Sequence, residues 1–478
     1  MAESSLDLKS TISGLPPLPA EDFRKSVESF FKESTSKVPV LVALDDDPTG
    51  TQTCHNVNVL TVWDTNTLAD EFRQTPRGGG FFILTNSRAL HPQQAQELMH
   101  EICTNLKCAA QEANVEFEVV LRGDSTLRGH FPIEPESAED IVGKADAWIL
   151  CPFFLQGGRY TINDVHYVAE GDELVPAGKT AFARDATFGY RSSNLRDWVV
   201  EKSKGNIPAD RVQSLTIGTI RKGGPQAIKQ QLMDFPKGSV VIVNAAATED
   251  VDAVILGLLQ ADAAGKKLLF RTGAAFVSSR LAISQIEPIS AKQLSLSSSV
   301  GGLIIAGSYV PKTTSQLEVL RARSGDKLTS VVLDVPKLLE SEQSAANMMG
   351  DAVAQAEKEI SRGRDVLVMT SRDIITGEDE TRSLDIGSKV AKALVSFLVD
   401  LKTRPRYIIS KGGITSSDMA TKGLKMKRAL IVGQAAPGVP LWRCDEPSSK
   451  WSGLPYVVFP GNVGSEETLY QVVERWRV

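Results

Sequence analysis

The sequence has little of what marks secreted, membrane-embedded or nucleic-acid-binding chains. Its five cysteines, Cys54, Cys103, Cys108, Cys151 and Cys444, are an odd number with no C-x-x-C pair. That argues against a disulfide framework or a zinc site and for reduced thiols, so the expected location is cytoplasmic. No apolar run approaches the roughly 20 residues needed to cross a bilayer. The opening stretch MAESSLDLKSTISGLPPLPAEDF has early acids and a proline-rich turn where a signal peptide needs a basic start and an apolar core. A formal charge of -5 over 478 residues gives no general pull toward nucleic acid or an anionic membrane. There is no repeat of fixed period and no long low-complexity segment. Small molecules are the partners these absences leave.

The length exceeds what one core supports, since single cores stop growing near ~250 to 300 residues, so two domains are expected. Short apolar runs alternate with longer helical patterns: Val40 to Leu44, Phe81 to Leu84, Glu118 to Leu121, Trp148 to Cys151, Val240 to Val243 and Leu268 to Phe270. After a Ser/Gly-rich stretch at Leu294 to Gly302, where a linker is expected, a second alternation runs through Leu303 to Ala306, Ser330 to Leu333, Val366 to Met369, Tyr407 to Ser410, Ala429 to Val432 and Tyr456 to Phe459. Such alternation predicts βα units on largely parallel sheets. Leu384 to Leu401 carries apolar residues at the helical period, and Phe23, Val27, Phe30 and Phe31 predict an amphipathic helix docked on the body. The expected fold is α/β: an N-terminal arm over residues 1–36, then two α/β domains in series over 37–293 and 300–478, with an active-site cleft between them. In open α/β sheets ligands sit beyond the carboxyl ends of strands, so the loops there are where chemistry is sought.

The first such loop, VALDDDPTG, places Asp45, Asp46 and Asp47 at a strand end. Burying carboxylates without partners is expensive, so the three should face a cation, a transferable proton or hydroxyl groups. Asp-Pro-Thr-Gly is also good turn chemistry, which accounts for one aspartate but hardly for three. The same residues contain D-x-D-x-T and resemble the nucleophile loop of haloacid dehalogenase-type phosphatases, in which Asp45 would attack phosphorus and Asp47 act as acid/base. A late strand ending in paired acids to hold Mg²⁺ is missing from that pattern. The loop after Glu118 to Leu121 reads RGDSTLRGHF. Its Arg122 and Arg128 suit a carboxylate, and its Asp124, Ser125 and Thr126 suit alcohols, a combination fitting an acid sugar as well as a surface ion-pair loop. His130 is more simply a structural hydrogen-bonding group. CPFFLQGGRYTINDVHYV reads either as a further polar loop with Arg159 or as a hairpin.

Three glycine-bearing turns follow strands in the second half: AGSYVPKTTSQ, SKGGITSSD and FPGNVGSEE. Glycines let backbone N–H groups converge on an anion, and the three together imply a nucleotide phosphate site. None is a Walker loop or a G-x-G-x-x-G fingerprint.

In order along the chain, DDDPTGT, TNSR, RGDSTLRGH, GSYVPKTTSQ, SKGGITSSD, APGVP and FPGNVG resemble the four-carbon acid sugar kinase family. That resemblance implies an N-terminal sugar-acid-binding domain, a C-terminal nucleotide-binding domain, and transfer of the γ-phosphate of ATP to the terminal hydroxyl of threonate, erythronate or an oxo-tetronate. By motif, Asp46, Asp47, Ser87, Arg88, Asp124, Ser125 and Arg128 are expected to line the acid-sugar pocket, with Arg122 beside them where relatives carry Lys. Ser308, Gly412, Gly413, Thr415, Ser416, Gly461 and Asn462 are expected to hold ATP. Asp47, and after it Asp124, are the expected proton acceptors, and Mg²⁺ is expected to arrive with ATP rather than in a protein cage. A sensor that binds an acid sugar without catalysis is the third reading, and a homodimer is the assembly to look for.

Overall fold

The computed structural model describes residues 4–34, 38–297, 299–307, 310–371 and 380–477. The chain divides into two compact units. One comprises Met1–Cys54 with Val62–Gln285, the other His55–Thr61 with Ile286–Val478.

The first unit is built on a parallel sheet of seven strands in the order Val212–Leu215, Ser239–Val243, Ala147–Cys151, Leu268–Thr272, Phe117–Arg122, Val40–Asp45 and Gly80–Leu84. Val40–Asp45 and Ser239–Val243 are buried along their whole length, which is why they read as continuous apolar runs rather than as alternation. Helices cover the sheet. In Pro92–Ala113 proline occupies the first turn, where its missing N–H is no loss, and Asn114 ends the helix in the left-handed conformation. Its Ala95, Met99, Ile102, Cys103 and Leu106 form the buried stripe. The predicted amphipathic helix is Phe23–Glu33, capped by Asp22, with Phe23, Val27 and Phe31 turned inward. Arg24 fastens it to the helix Thr248–Ala263 through Asp252, 2.8 Å away.

The Cys151 to Val168 stretch resolves as the hairpin alternative. Arg159–Ile162 and Val165–Glu170 pair antiparallel, and Glu173–Pro176 and Leu6–Asp7 extend them into a small separate sheet. The hairpin turn is Asn163–Asp164, both at positive φ, as a two-residue turn matched to strand twist requires.

In the second unit, Leu328–Leu333, Asp365–Thr370, Leu303–Ala306, Ile408–Lys411 and Pro455–Phe459 lie parallel. Antiparallel Val439–Cys444, Arg428–Ala436 and Val57–Leu60 complete the sheet. The twelve predicted strands are therefore present. Val57–Leu60, Val212–Leu215 and Val439–Cys444 escaped notice, being short or interrupted by polar residues. Ile289 joins the core of the second unit with Ile304, Tyr407, Val457 and Trp476, and Leu294 and Leu296 pack against it.

One buried ionic junction holds the starts of these strands. The Asp365 carboxylate accepts from the backbone N–H of Gly302 at 2.8 Å, from Arg406 Nη2 at 3.0 Å and from Arg477 Nε at 2.8 Å. Removing one member of a buried ion pair strands the other charges. Asp365→Ala is therefore expected to lose about 3–5 kcal/mol in urea unfolding, whereas Val332→Ala, at an exposed edge position, should change stability by less than about 0.5 kcal/mol.

Candidate functional site

Register brings the polar ends of the first unit's strands into one row. Asp45 lies beside Leu84 on one neighbour and Arg122 on the other, and Arg122 lies beside Thr272. These are the carboxyl ends of parallel strands, where backbone direction changes and side chains from several loops converge. Asp45 is only 1% exposed. Its Oδ1 accepts from Arg122 Nη1 at 2.9 Å. Burial pushes the Asp45 carboxyl up to about 7 against the pull of Arg122. Gly50 packs directly over this pair. A Cβ there would stand 2.2 Å from both carboxylate oxygens and 2.4 Å from Arg122 Nη1, so a side chain at this position would have to displace the pair.

The next two aspartates meet Arg88. Arg88 Nε and Nη2 donate to the two oxygens of Asp46 at 3.0 and 2.5 Å, a two-pronged pair. Arg88 Nη1 also lies 3.7 Å from Asp47 Oδ2. Asp47 Oδ1 caps the short helix Pro48–Thr51, accepting from the Thr49 N–H at 2.9 Å and its hydroxyl at 2.5 Å. Burial opposes charge on Asp47, but Arg88 and the donors of Thr49 outweigh it and hold the carboxyl below its usual range. At 23% its side chain is more exposed than those of Asp45 and Asp46.

The RGDSTLRGH loop adds further charge beside Arg88. Arg128 Nε donates to Asp124 Oδ2 at 2.7 Å, and the Thr126 hydroxyl donates to the same oxygen. Burial again works against ionisation, and Arg88 and Arg128 overcome it, so Asp124 is held far below the carboxylate range. Arg128 also reaches Asp185 at 3.6 Å, and both Arg128 and Arg159 stack on the Phe182 ring. Leu127, at the loop tip, has φ 70, a left-handed conformation costly for a bulky side chain and met mainly where surrounding contacts impose it. Beneath lie Arg271, whose Nη2 donates to the Arg128 carbonyl at 3.0 Å, and Glu134, whose Oε1 accepts from Ser87 Oγ at 2.5 Å. Burial drives Glu134 up to about 7. His166 Nε2 meets the Ser125 carbonyl at 2.7 Å, and burial lowers the ring to about 4, leaving it neutral.

In the second unit the glycine turns also follow strand ends, with Lys411 beside Ala306 and Phe459 in register. Gly412 takes φ 108, a conformation that favours glycine, and its N–H donates to the Phe459 carbonyl at 2.8 Å. Gly413 opens the helix Gly413–Asp418. Lys411 is fully buried, with Nζ donating to the carbonyls of Pro460 and Gly461. Thr313 Oγ1 donates to that same Gly461 carbonyl at 3.2 Å.

The expected site residues thus fall into two groups. Asp46, Asp47, Arg88, Arg122, Asp124 and Arg128 share one network. Ser87 and Ser125 lie under it: the hydroxyl of Ser87 is spent on Glu134, and the carbonyl of Ser125 on His166. Gly412, Gly413, Gly461 and the exposed Asn462 cluster on the second unit's loops with half-buried Thr415, whereas Ser416 is fully buried and donates to the Ser410 carbonyl at 2.9 Å. Ser308 lies outside the described residues. Glu134, Arg271, His166 and Lys411 were not among the expected site residues. A charge terminating an apolar strand, the signal that singled out Asp45, also marks Arg271 in LLFRT and Lys411 in IISK. Glu134 and His166 carry no such signal. The D-x-D-x-T phosphatase reading fails on Asp45, whose carboxylate is enclosed by Arg122 and Gly50 and is closed to a phosphate ester.

Among the described residues no helix is long and apolar enough to cross a membrane, and no group of three or more His, Cys, Asp or Glu could hold a metal ion. Two family models match the chain, a sugar-binding N-terminal domain over residues 41–280 and a nucleotide-binding C-terminal domain over residues 303–469. No match is found among curated protein sequences. Two crystal structures share the fold. One is a Haemophilus influenzae protein of the DUF1537 family, with TM-score 0.61 and 15% identity, covering 91% of this chain and 100% of its own. The other is a Salmonella typhimurium LT2 protein provisionally named a tRNA synthase, with TM-score 0.64 and 15% identity, covering 91% of this chain and 98% of its own. The chain belongs to the four-carbon acid sugar kinase family, in which a sugar-binding N-terminal domain is joined to a nucleotide-binding C-terminal domain.

Proposed function

We propose that this protein is an ATP-dependent kinase that phosphorylates the terminal hydroxyl of a four-carbon acid sugar: threonate, erythronate or an oxo-tetronate. The observation that carries the reading is the ion network at the sheet edge of the sugar-binding unit, where guanidiniums and ionised carboxylates stand side by side. A sugar acid offers a carboxylate for the first and hydroxyls for the second. Arg128 and Arg159, both stacked on Phe182, are suited to grip the carboxylate, since a guanidinium presents two parallel N–H groups to it.

In this mechanism the C4 oxygen attacks the γ-phosphorus as the bond from phosphorus to the ADP oxygen breaks, and the hydroxyl proton passes to Asp47 Oδ2, the oxygen not occupied by Thr49. A carboxylate held below its usual pKa is a weak base. That suits phosphoryl transfer, whose loose transition state leaves the nucleophile little deprotonated until late, so positioning and charge neutralisation supply most of the rate. The nucleotide lies on the glycine turns of the second unit, and Mg²⁺ accompanies its phosphates, as it usually does where a protein offers no cage of its own.

Asp47→Asn is expected to lower kcat by roughly 10²- to 10⁴-fold while leaving ATP affinity nearly unchanged. Full turnover in that variant would place the base elsewhere, with Asp124 next to be replaced. Because Asp47 is held below the ordinary carboxylate range, it stays ionised above that range, and the acid limb of the kcat profile should fall below it. The reaction class is tested by a panel of threonate, erythronate and oxo-tetronates with ATP, read by ADP release. A non-hydrolysable ATP analogue at a hundred times its Kd should stabilise the protein by about 2.7 kcal/mol. Stabilisation by acid sugars with none by the analogue would support the sensor instead.

A further inference from the structure

The turn Pro460–Glu466 has its carbonyls drawn inward by three fully buried side chains. Lys411 Nζ donates to the carbonyls of Pro460 and Gly461, Thr313 Oγ1 to that of Gly461 at 3.2 Å, and Gln316 Nε2 to those of Val463 at 3.1 Å and Ser465 at 2.7 Å. In a trans peptide the C=O of one residue and the N–H of the next point in opposite directions. Fixing the carbonyls of 460, 461, 463 and 465 inward therefore turns the N–H groups of Gly461, Asn462, Gly464 and Glu466 outward. None of the four finds an acceptor among the described residues. Successive outward N–H groups in a glycine-bearing turn make a concavity for an anion, and Gly464, at φ 82, is needed for the turn because a Cβ there would stand 2.6 Å from Thr468 Oγ1.

Lys411 is an unusual choice for such a strut. It is entirely buried, lies 4.1 Å from the centroid of the Phe459 ring, and its hydrogen-bonding partners are carbonyls rather than a carboxylate. An isolated buried ammonium is costly to charge, and the neighbouring charge acting on it is a second cation, Lys312. A phosphate arriving at the outer face of the turn would supply the missing negative charge.

Resting on the reading of this unit as the nucleotide site, we infer that Lys411, Thr313 and Gln316 are positioning residues that aim the amides of the 460–466 turn at a nucleotide phosphate, with Lys411 supplying the charge behind them. Burial, reinforced by Lys312, brings the Lys411 ammonium down to about 7. A bound phosphate stabilises the protonated form, so affinity for the polyanion should fall as pH rises through that value.

The test compares wild type with Lys411→Met and Gln316→Met by calorimetric titration with ATP, pyrophosphate and adenosine, alongside steady-state kinetics. Each variant should weaken ATP and pyrophosphate at least about tenfold and raise KM for ATP. Adenosine affinity and KM for the acid sugar should stay within about twofold. The weakening of pyrophosphate binding from about pH 6 to 8.5 should be shallower in Lys411→Met than in wild type. Equal loss of adenosine and ATP would reduce these side chains to structural props, and unchanged ATP affinity in both folded variants would overturn the inference. Should Lys411→Met fail to fold, Gln316→Met, which keeps the charge and removes two of the carbonyl contacts, decides alone. Wild type that binds no ATP at all would instead overturn the kinase reading, so the two failures are distinct.

Discussion

Three consecutive carboxylates at the end of a buried strand would repel one another, and the guanidiniums of Arg88 and Arg122 are what allow the loop to exist. Arg122 neutralises Asp45 from the adjacent strand, while Arg88 spans Asp46 and Asp47 from the next loop. Asp45 and Asp47 consequently end up in different states. Burial raises Asp45 toward neutrality, and Arg88 keeps Asp47, the most exposed of the three, charged. One short sequence yields a carboxyl pushed toward neutrality and one held ionised, through the balance of depth against the charges and donors around each.

The proposed sites of the two units would hold anions by different physics. In the sugar-binding unit the proposed site is built from side-chain charge, with Arg128 and Arg159 stacked on the Phe182 ring and Asp124 and Asp185 paired to Arg128. In the nucleotide-binding unit the proposed site is a backbone turn beside the exposed Asn462, and the side chains that hold its carbonyls, Lys411, Thr313 and Gln316, sit behind it, out of contact with solvent. Flexible side chains suit a substrate distinguished by its hydroxyls. Fixed amides suit a phosphate, whose oxygens accept hydrogen bonds from many directions.

Sequence patterning revealed the sheets because strands buried on both faces are written as unbroken apolar runs. Val40 to Leu44 and Leu303 to Ala306 were legible for that reason. Val212–Leu215 and Arg428–Ala436 are half-buried and carry polar residues at alternate or edge positions, so the first was missed and the second was recognised over only part of its length. The acid and arginine loops were legible because charge at the end of an apolar strand demands an explanation. What the sequence withheld was depth. Ser87, Ser125 and Ser416 look like ligand-facing hydroxyls beside glycines and arginines, yet each is buried, and Ser87 and Ser416 serve a neighbouring group. Glu134 and His166 come near the site only through the fold, one from a helix among several acids and the other from a hairpin strand, with nothing in the sequence to set either apart from its neighbours.

The strand Val57–Leu60 follows the aspartate loop by a few residues, pairs with Arg428–Ile431, and belongs to the second unit although residues on both sides belong to the first. The C-terminal unit is therefore incomplete if cut at residue 285. A fragment starting there would expose the edge of Arg428–Ala436, an open row of backbone donors and acceptors prone to pairing with another chain. The chain must also bring together segments some 370 positions apart before that sheet closes, a long-range closure of the kind that slows folding. Gene fusions and truncations that treat the linker as a free hinge would separate this strand from the sheet it completes.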